Sequence, residues 1–120
     1  MTIAIKFRVY CTQTKHGETV KVTGSGPELG NWDPANALSL YTNDDEFPIW
    51  RAGIFIDRER QPDINNMDYK YIISHKDKED TYWENFSGNR SISLNSGGEL
   101  MIQDVFNEKK LIKLEVHTEE

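Results

Sequence analysis

The chain has 120 residues, of which 37% are hydrophobic and 28% are charged, and its formal net charge is -6 at pH 7. This length fits one domain with its own hydrophobic core, because single domains cluster near roughly 100–150 residues. The acidic balance argues against nucleic-acid binding, which draws its affinity from a basic surface.

The cysteine content and the N-terminal segment bear on the cellular compartment. Cys11 is the only cysteine, so the chain can form no internal disulfide. The first residues alternate polar with apolar and lack the continuous apolar run of a signal peptide or a membrane helix. We therefore expect a cytoplasmic protein without a membrane partner, kept in a reducing environment.

Hydrophobic residues recur at every second position, which is the pattern of a half-buried β-strand. The first predicted strand places five residues on one face: Ile3, Ile5, Phe7, Val9 and Cys11. Cys11 is therefore interpreted as a small core residue and not as a nucleophile. Further strands are predicted around residues 20–22, 38–40, 50–56 and 69–73.

The segment GSGPELGNWDP, residues 24–34, contains three glycines, two prolines and Trp32. Its glycine spacing differs from that of a dinucleotide fingerprint, and it leads toward a strand instead of opening a phosphate-binding helix. A short helical turn is expected at its end, because Asp33 can cap a helix and Pro34 suits a first helical position. The glycine-rich segment is therefore interpreted as a turn.

The second half of the chain continues with short strands between turn residues. They are predicted near residues 80–84, 90–94 and 100–106, and the polar stretch 57–67 is predicted to be a long surface loop. Turn signals about every ten residues indicate an all-β sandwich or small barrel. The module is assigned to residues 1–107, and the extension 108–120 is either one more strand or the start of a linker.

The sequence shows no pattern that indicates catalysis, a metal site or a cofactor. The three histidines lie in separate segments without zinc-ligand spacing, and the acidic run 43–46 lacks the spacing of an EF-hand loop. Glu84 and Asp33 could in principle form a glycosidase pair, but a small strand-rich domain offers little depth for a water-excluding cleft. We expect a binding module and not an enzyme.

The tryptophans differ in their surroundings. Trp50 shares the parity of a predicted strand and is interpreted as a core residue, whereas Trp32 lies in a loop and Trp83 at the end of a short strand. An exposed indole in a loop favours a binding partner, since large exposed apolar groups promote aggregation. Alternatively, Trp32 folds back and covers an open end of the barrel. Composition alone leaves both interpretations open.

The segments VTGSGPELGNWDPANALSL, FPIW, YKYI and YWENFSGNRSISL, in this order, resemble the starch-binding domain family, carbohydrate-binding module family 20. The resemblance extends from about Ile3 to Phe106. It implies an antiparallel, immunoglobulin-like β-sandwich, or open-sided distorted barrel, of about seven to eight strands. It also implies binding of α-1,4-glucans such as starch, glycogen or cyclodextrins.

The resemblance also implies site residues. The family stacks glucose rings on two tryptophans, which correspond to Trp32 and Trp83 in this sequence. Lys70 matches a family lysine that would hydrogen-bond sugar hydroxyls, and Glu84 and Asn89 match polar positions that complete the site.

A second sugar site is implied at different positions. His16 stands where the family has an aromatic residue in the first turn. Tyr41 matches a family tyrosine only after a shift in the loop before the fourth strand.

The resulting hypothesis is a non-catalytic α-glucan-binding module, with an attached glucan-active enzyme as the expected partner. The alternative is a protein-interaction or regulatory module on the same fold, in which the sugar site would have decayed. The sequons at Asn85 and Asn89 would place glycans in the implied site of a secreted chain, which favours the cytosol.

Overall fold

The computed structural model describes residues 2–76, 80–94 and 98–117. These residues form nine β-strands: β1 (Thr2–Tyr10), β2 (Glu18–Gly24), β3 (Leu38–Ser39), β4 (Ile49–Asp57), β5 (Asn66–His75), β6 (Thr81–Trp83), β7 (Arg90–Ser93), β8 (Glu99–Val105) and β9 (Glu108–His117). The only helical segments in the described part of the chain are two short 3₁₀ turns between β2 and β3. None of the described helical segments is long and apolar enough to cross a membrane.

The strands form two sheets that pack face to face as an open sandwich. One sheet has the order β4-β1-β8-β9, and the other has the order β3-β2-β5-β6, with β7 pairing along β5 beside β6. The predicted all-β sandwich is confirmed. Most pairings are antiparallel, but β1 and β8 run parallel over Ala4–Tyr10 and Glu99–Val105, which the sequence did not indicate.

Alternation along the strands builds the core. The four inward-facing residues of β1 and the residue that follows the strand are fully buried: Ile3, Ile5, Phe7, Val9 and Cys11. The burial of Cys11 confirms its interpretation as a core residue. Trp50 is also buried, with 8% of its surface exposed, as its parity predicts.

The C-terminal segment is a strand in the structure. β9 pairs antiparallel with β8 and forms the edge of the four-stranded sheet, which selects the strand interpretation for residues 108–117. Residues 118–120 of the proposed extension lie outside the described residues. The turn between β8 and β9 contains Asn107, whose φ of 70° lies in the left-handed region.

The glycine-rich loop is fixed to the body of the molecule. Leu29 is fully buried in the core, and its carbonyl oxygen accepts a 3.0 Å hydrogen bond from Thr23 Oγ1 at the end of β2. The predicted cap is confirmed, because the side chain of Asp33 accepts a hydrogen bond from the Ala35 amide and Pro34 begins the second 3₁₀ turn. The loop is therefore an ordered structure anchored at both ends.

Three successive residues at the tip of this loop have left-handed backbone conformations. The φ angles are 77° at Gly30, 52° at Asn31 and 68° at Trp32. Left-handed φ values cost little at glycine but are unfavourable for a bulky side chain such as tryptophan. Such strain persists only where the surrounding contacts fix it, and it occurs often at binding sites.

Replacement of Gly30 should unfold the loop or destabilise the domain. A Cβ atom at Gly30 would lie 2.4 Å from the carbonyl oxygen of Asn36, and φ is positive there. We expect Gly30→Ala to lower the free energy of unfolding by about 1–3 kcal/mol in urea titrations. Gly53→Ala is the matched control, because its Cβ meets nothing closer than 3.4 Å. Equal effects of the two substitutions would contradict this description of the loop.

Candidate functional site

Three side chains share the outer face of the five-stranded sheet. On β5, Tyr69, Tyr71 and Ile73 belong to the core, so the alternating residues Lys70 and Ile72 face outward. Trp83 on β6 is paired directly with Ile72, so its indole projects from the same face as Lys70.

Ile72 is buried although it lies on the outer face of the sheet, so neighbouring side chains shield this part of the face from solvent. It lies outside the core cluster, yet its exposed surface is 0%. Its cross-strand neighbours are Lys21 on β2 and Trp83 on β6. Trp83, the directly paired residue on this face, is half-buried.

Trp32 lies in the loop that follows β2, the strand that pairs with β5 on the side opposite to β6. Its loop is anchored through Thr23, and Thr23 is the cross-strand neighbour of Lys70. Trp32 follows Leu29 by one short turn and is half-buried. The strand that leads into the Trp32 loop and the strand that carries Trp83 therefore lie on opposite sides of β5.

Lys70 itself is held by one neighbouring residue. Its Nζ donates a 2.8 Å hydrogen bond to the carbonyl oxygen of Phe86 and lies 4.7 Å from the centroid of the Phe86 ring. An ammonium group has three N–H donors, so two remain for a ligand. Asn89, four residues after Asn85 in the loop between β6 and β7, is exposed.

The loop between β6 and β7 is also fixed from the β8–β9 turn. The Asn85 amide donates to Asn107 Oδ1 at 3.0 Å, and Lys109 Nζ donates to the Ser87 carbonyl at 3.1 Å. The backbone on both sides of Phe86 is thus tied to the opposite sheet. These bonds hold Phe86, whose carbonyl oxygen binds Lys70, in a defined conformation.

Glu84 takes a position different from the one that the sequence implied. Its side chain is buried, with 2% exposed, and both carboxylate oxygens accept hydrogen bonds. Oε1 accepts from the Tyr71 amide and from Arg90 Nε, and Oε2 accepts from Arg90 Nη2 and from the Asn107 amide. Glu84 is therefore an internal anchor, and its oxygens do not face the surface that Trp83 and Lys70 share.

A buried cation lies at the centre of this anchor. Arg90 is 4% exposed and forms a bidentate pair with Glu84 at 3.0 and 2.6 Å. Its Nη1 donates to Asp104 Oδ1 at 3.0 Å, and its Nη2 donates to the Val105 carbonyl at 2.9 Å. Bidentate contacts of this kind are among the strongest hydrogen bonds in proteins.

The network continues into the core through two tyrosines. The hydroxyls of Tyr69 and Tyr71 both donate to Asp104 Oδ2, at 2.9 and 2.8 Å. Burial, followed by the neighbouring Asp104 charge, raises the pKa of both phenols well above the usual range. Burial also raises the pKa of Asp104, and the Arg90 charge opposes that shift.

Sequence reasoning missed Arg90, Asp104 and Phe86 as supports of the site. A signal was available for two of them. Arg90 has the parity of Ile92 in β7, and Asp104 has the parity of Ile102 in β8, so both charges fall on core-facing positions. A positive and a negative residue at inward positions predict a buried pair. Phe86 carries no comparable signal because it lies in a loop.

The two residues of the implied second sugar site, His16 and Tyr41, lie outside β5, β6 and the loop between β6 and β7. His16 is exposed in the turn before β2. Tyr41 is 58% exposed and forms an isolated antiparallel bridge with Arg51 of the four-stranded sheet. In the described part of the chain, no group of three His, Cys, Asp or Glu side chains is placed to hold a metal ion.

The fold defines the chain as a β-sandwich module, and sequence comparison identifies its family. The profile of the family described as "Starch binding domain" matches residues 2–103. The chain therefore belongs to the starch-binding domain family, carbohydrate-binding module family 20, whose members are non-catalytic starch-binding domains.

Known proteins agree with this assignment. The chain is 34% identical over 105 residues to Glucoamylase-1 of Schizophyllum commune and 35% identical over 101 residues to an alpha-amylase of Streptomyces violaceus. These matches cover 88% and 83% of this chain but only 16% of each relative, so the chain spans about a sixth of their length. The solved family 20 module of a maltotetraose-forming amylase from Pseudomonas saccharophila STB07 has a TM-score of 0.64 and 26% identity. The match covers 86% of this chain and 99% of that one.

Removal of the buried cation should destabilise the domain strongly. Arg90→Met leaves Glu84 and Asp104 as two buried carboxylates without their common partner, and breaking such a pair costs about 3–5 kcal/mol. Arg51→Met is the control, because Arg51 pairs with Glu46 at 2.7 Å on the surface and should cost no more than about 1 kcal/mol. Chemical denaturation of both variants measures the difference, and similar costs would refute the importance of the buried network.

Alkaline pH should unfold the domain through Tyr69 and Tyr71. Their folded-state pKa values are raised above the usual value of 10.0. Their contribution to the free energy of unfolding is therefore fully present below about pH 10 and is lost as the pH rises further. Each phenol should contribute a slope of roughly 1.4 kcal/mol per pH unit. Unfolding free energies measured from pH 8 to pH 11.5 should show this loss. Tyr71→Phe removes one of the two phenols and should reduce the slope by roughly 1.4 kcal/mol per pH unit. An unchanged slope would contradict the raised pKa of Tyr71.

Proposed function

We propose that this module binds α-1,4-glucan chains by stacking two glucose rings on Trp32 and Trp83. Lys70, on the strand between β2 and β6, and the exposed Asn89 would bind the hydroxyls. The observation that carries the proposal is the placement of Lys70 and Trp83 on one covered outer face, with the Trp32 loop anchored beside them. Glu84 would contribute from inside the domain and not by contact with sugar.

The chemistry of the side chains suits a glucan. A glucose ring has apolar C–H groups on its faces and hydroxyls around its edge. A flat indole covers the face, with a gain of about 25 cal/mol per Å² of apolar surface buried. The two free donors of the Lys70 ammonium would bind edge hydroxyls as charged hydrogen bonds, which are stronger than neutral ones. Two separate indoles suit a curved α-1,4 chain better than a straight β-1,4 chain.

The anchoring of the loops supports binding without a large rearrangement. Thr23 and Leu29 fix the Trp32 loop, and Asn107 fixes the start of the loop that ends at Asn89. Little conformational entropy is therefore lost when a chain binds. An open surface with few contacts gives weak affinity, on the order of micromolar to millimolar, and polymer binding then gains from repeated sites.

An attached catalytic domain is part of the proposal. The relatives named as a glucoamylase and an alpha-amylase are about six times longer than the matched segment. By analogy, this module would hold a glucan-active enzyme on its polymer. A second sugar contact at His16 and Tyr41 is proposed as well, since Tyr41 presents an exposed aromatic face.

We also propose that the module acts in the cytosol, on glycogen or a starch-like polymer. Asn85 and Asn89 both lie in glycosylation sequons and both are exposed. Glycans at these positions would cover the loop beside Lys70, which would conflict with sugar binding in a secreted protein.

Electrophoresis through a native gel that contains amylopectin tests the proposed function. The wild-type chain should be retarded, and Trp32→Ala and Trp83→Ala should each lose at least about tenfold in affinity, because each removes one stacking surface. Phe55→Ala is the matched control, since Phe55 is 72% exposed on the four-stranded sheet and should leave retardation unchanged.

One result would count against the proposed function, and another would count against the proposed site. Unretarded wild-type protein would favour the protein-interaction alternative. Retardation that persists in both tryptophan variants would retain glucan binding but place the site elsewhere.

A further inference from the structure

We infer that Phe86 is a positioning residue that holds the Lys70 ammonium in place for the glucan. This inference rests on the proposed function of the outer face. Phe86 was not among the residues that the sequence implied for sugar binding. It lies in the loop between β6 and β7 and is half-buried.

Phe86 contacts Lys70 in two independent ways. Its carbonyl oxygen accepts the 2.8 Å hydrogen bond from Lys70 Nζ, and its ring lies 4.7 Å from the same nitrogen. A cation within about 6 Å of a ring centroid is attracted by the negative face of the ring. Because the hydrogen bond uses the backbone, only the ring contact depends on the identity of the side chain.

The same ring is held by a second cation that belongs to the core. The Cζ atom of Arg90 lies 5.1 Å from the Phe86 centroid and 5.2 Å from that of Tyr71. Arg90 is itself fixed by its bidentate pair with Glu84. A rigid contact series therefore runs from the buried Glu84 through Arg90 and Phe86 to Lys70 at the surface.

This series gives Glu84 a role in the site without sugar contact. The lysine side chain has four flexible bonds, and its ordering on binding costs conformational entropy. A lysine that is already oriented by a ring and a carbonyl loses less entropy when its remaining donors bind hydroxyls. Phe86 would thus increase affinity without contact with the glucan.

A double-mutant cycle tests the role of the ring. Phe86→Leu keeps the backbone carbonyl and much of the apolar volume but removes the π face. It should weaken β-cyclodextrin binding roughly twofold to fivefold by calorimetry, whereas Phe86→Tyr should retain wild-type affinity. In the Lys70→Met background, Phe86→Leu should have no further effect, since the ammonium is absent. Phe55→Leu should change affinity in neither background.

Two outcomes of the cycle would overturn the inference. Equal weakening by Phe86→Leu with and without Lys70 would show that the residue shapes the loop and does not act through the ammonium. Wild-type affinity of Phe86→Leu would show that the ring does not matter. Circular dichroism of each variant confirms that the fold is retained, so that a loss of affinity is not a loss of structure.

A measurement without glucan separates this inference from the proposed function. The Lys70 ε-methylene protons should show an upfield ring-current shift in the NMR spectrum of the free protein, and Phe86→Leu should remove it. An unshifted Lys70 would overturn the ring contact. If the shift is present but no glucan binds, the proposed function fails while the contact stands.

Discussion

The pair formed by Glu84 and Arg90 is the interaction on which the site depends. It joins the start of the β6–β7 loop to the first residue of β7, and it reaches the opposite sheet through Asp104. Buried charges are costly when they are unpaired, so each partner requires the other. Asp104 in turn accepts the hydroxyls of Tyr69 and Tyr71, which fixes the strand that carries Lys70. A polar network inside the sandwich therefore determines the shape of its outer face.

The loop around Trp32 follows a second constraint. Leu29 enters the core, whereas the tip beyond it bends through three left-handed residues. The buried side chain of Leu29 anchors the loop, whereas Trp32 at the end of the first 3₁₀ turn remains half-exposed.

Much of the fold could be predicted from the sequence, because alternation depends on local chemistry. The parity of Ile3 to Cys11 and the cap at Asp33 are readable from neighbouring residues alone, and both are confirmed. The parallel pairing of β1 with β8 could not be predicted, since strand order depends on long-range packing. The burial of Glu84 was missed for the same reason: its partners Arg90 and Asp104 meet it only in three dimensions.

In the proposed site, glucan binds on Trp32 and Trp83. The most direct test is a titration of the free protein with maltoheptaose while the three indole N–H signals are followed by NMR. Trp50 is buried with 8% exposure and provides an internal reference. We expect the signals of Trp32 and Trp83 to shift to saturation with one common affinity while that of Trp50 stays in place. Unmoved signals from Trp32 and Trp83 at a glucan concentration that saturates binding would contradict it.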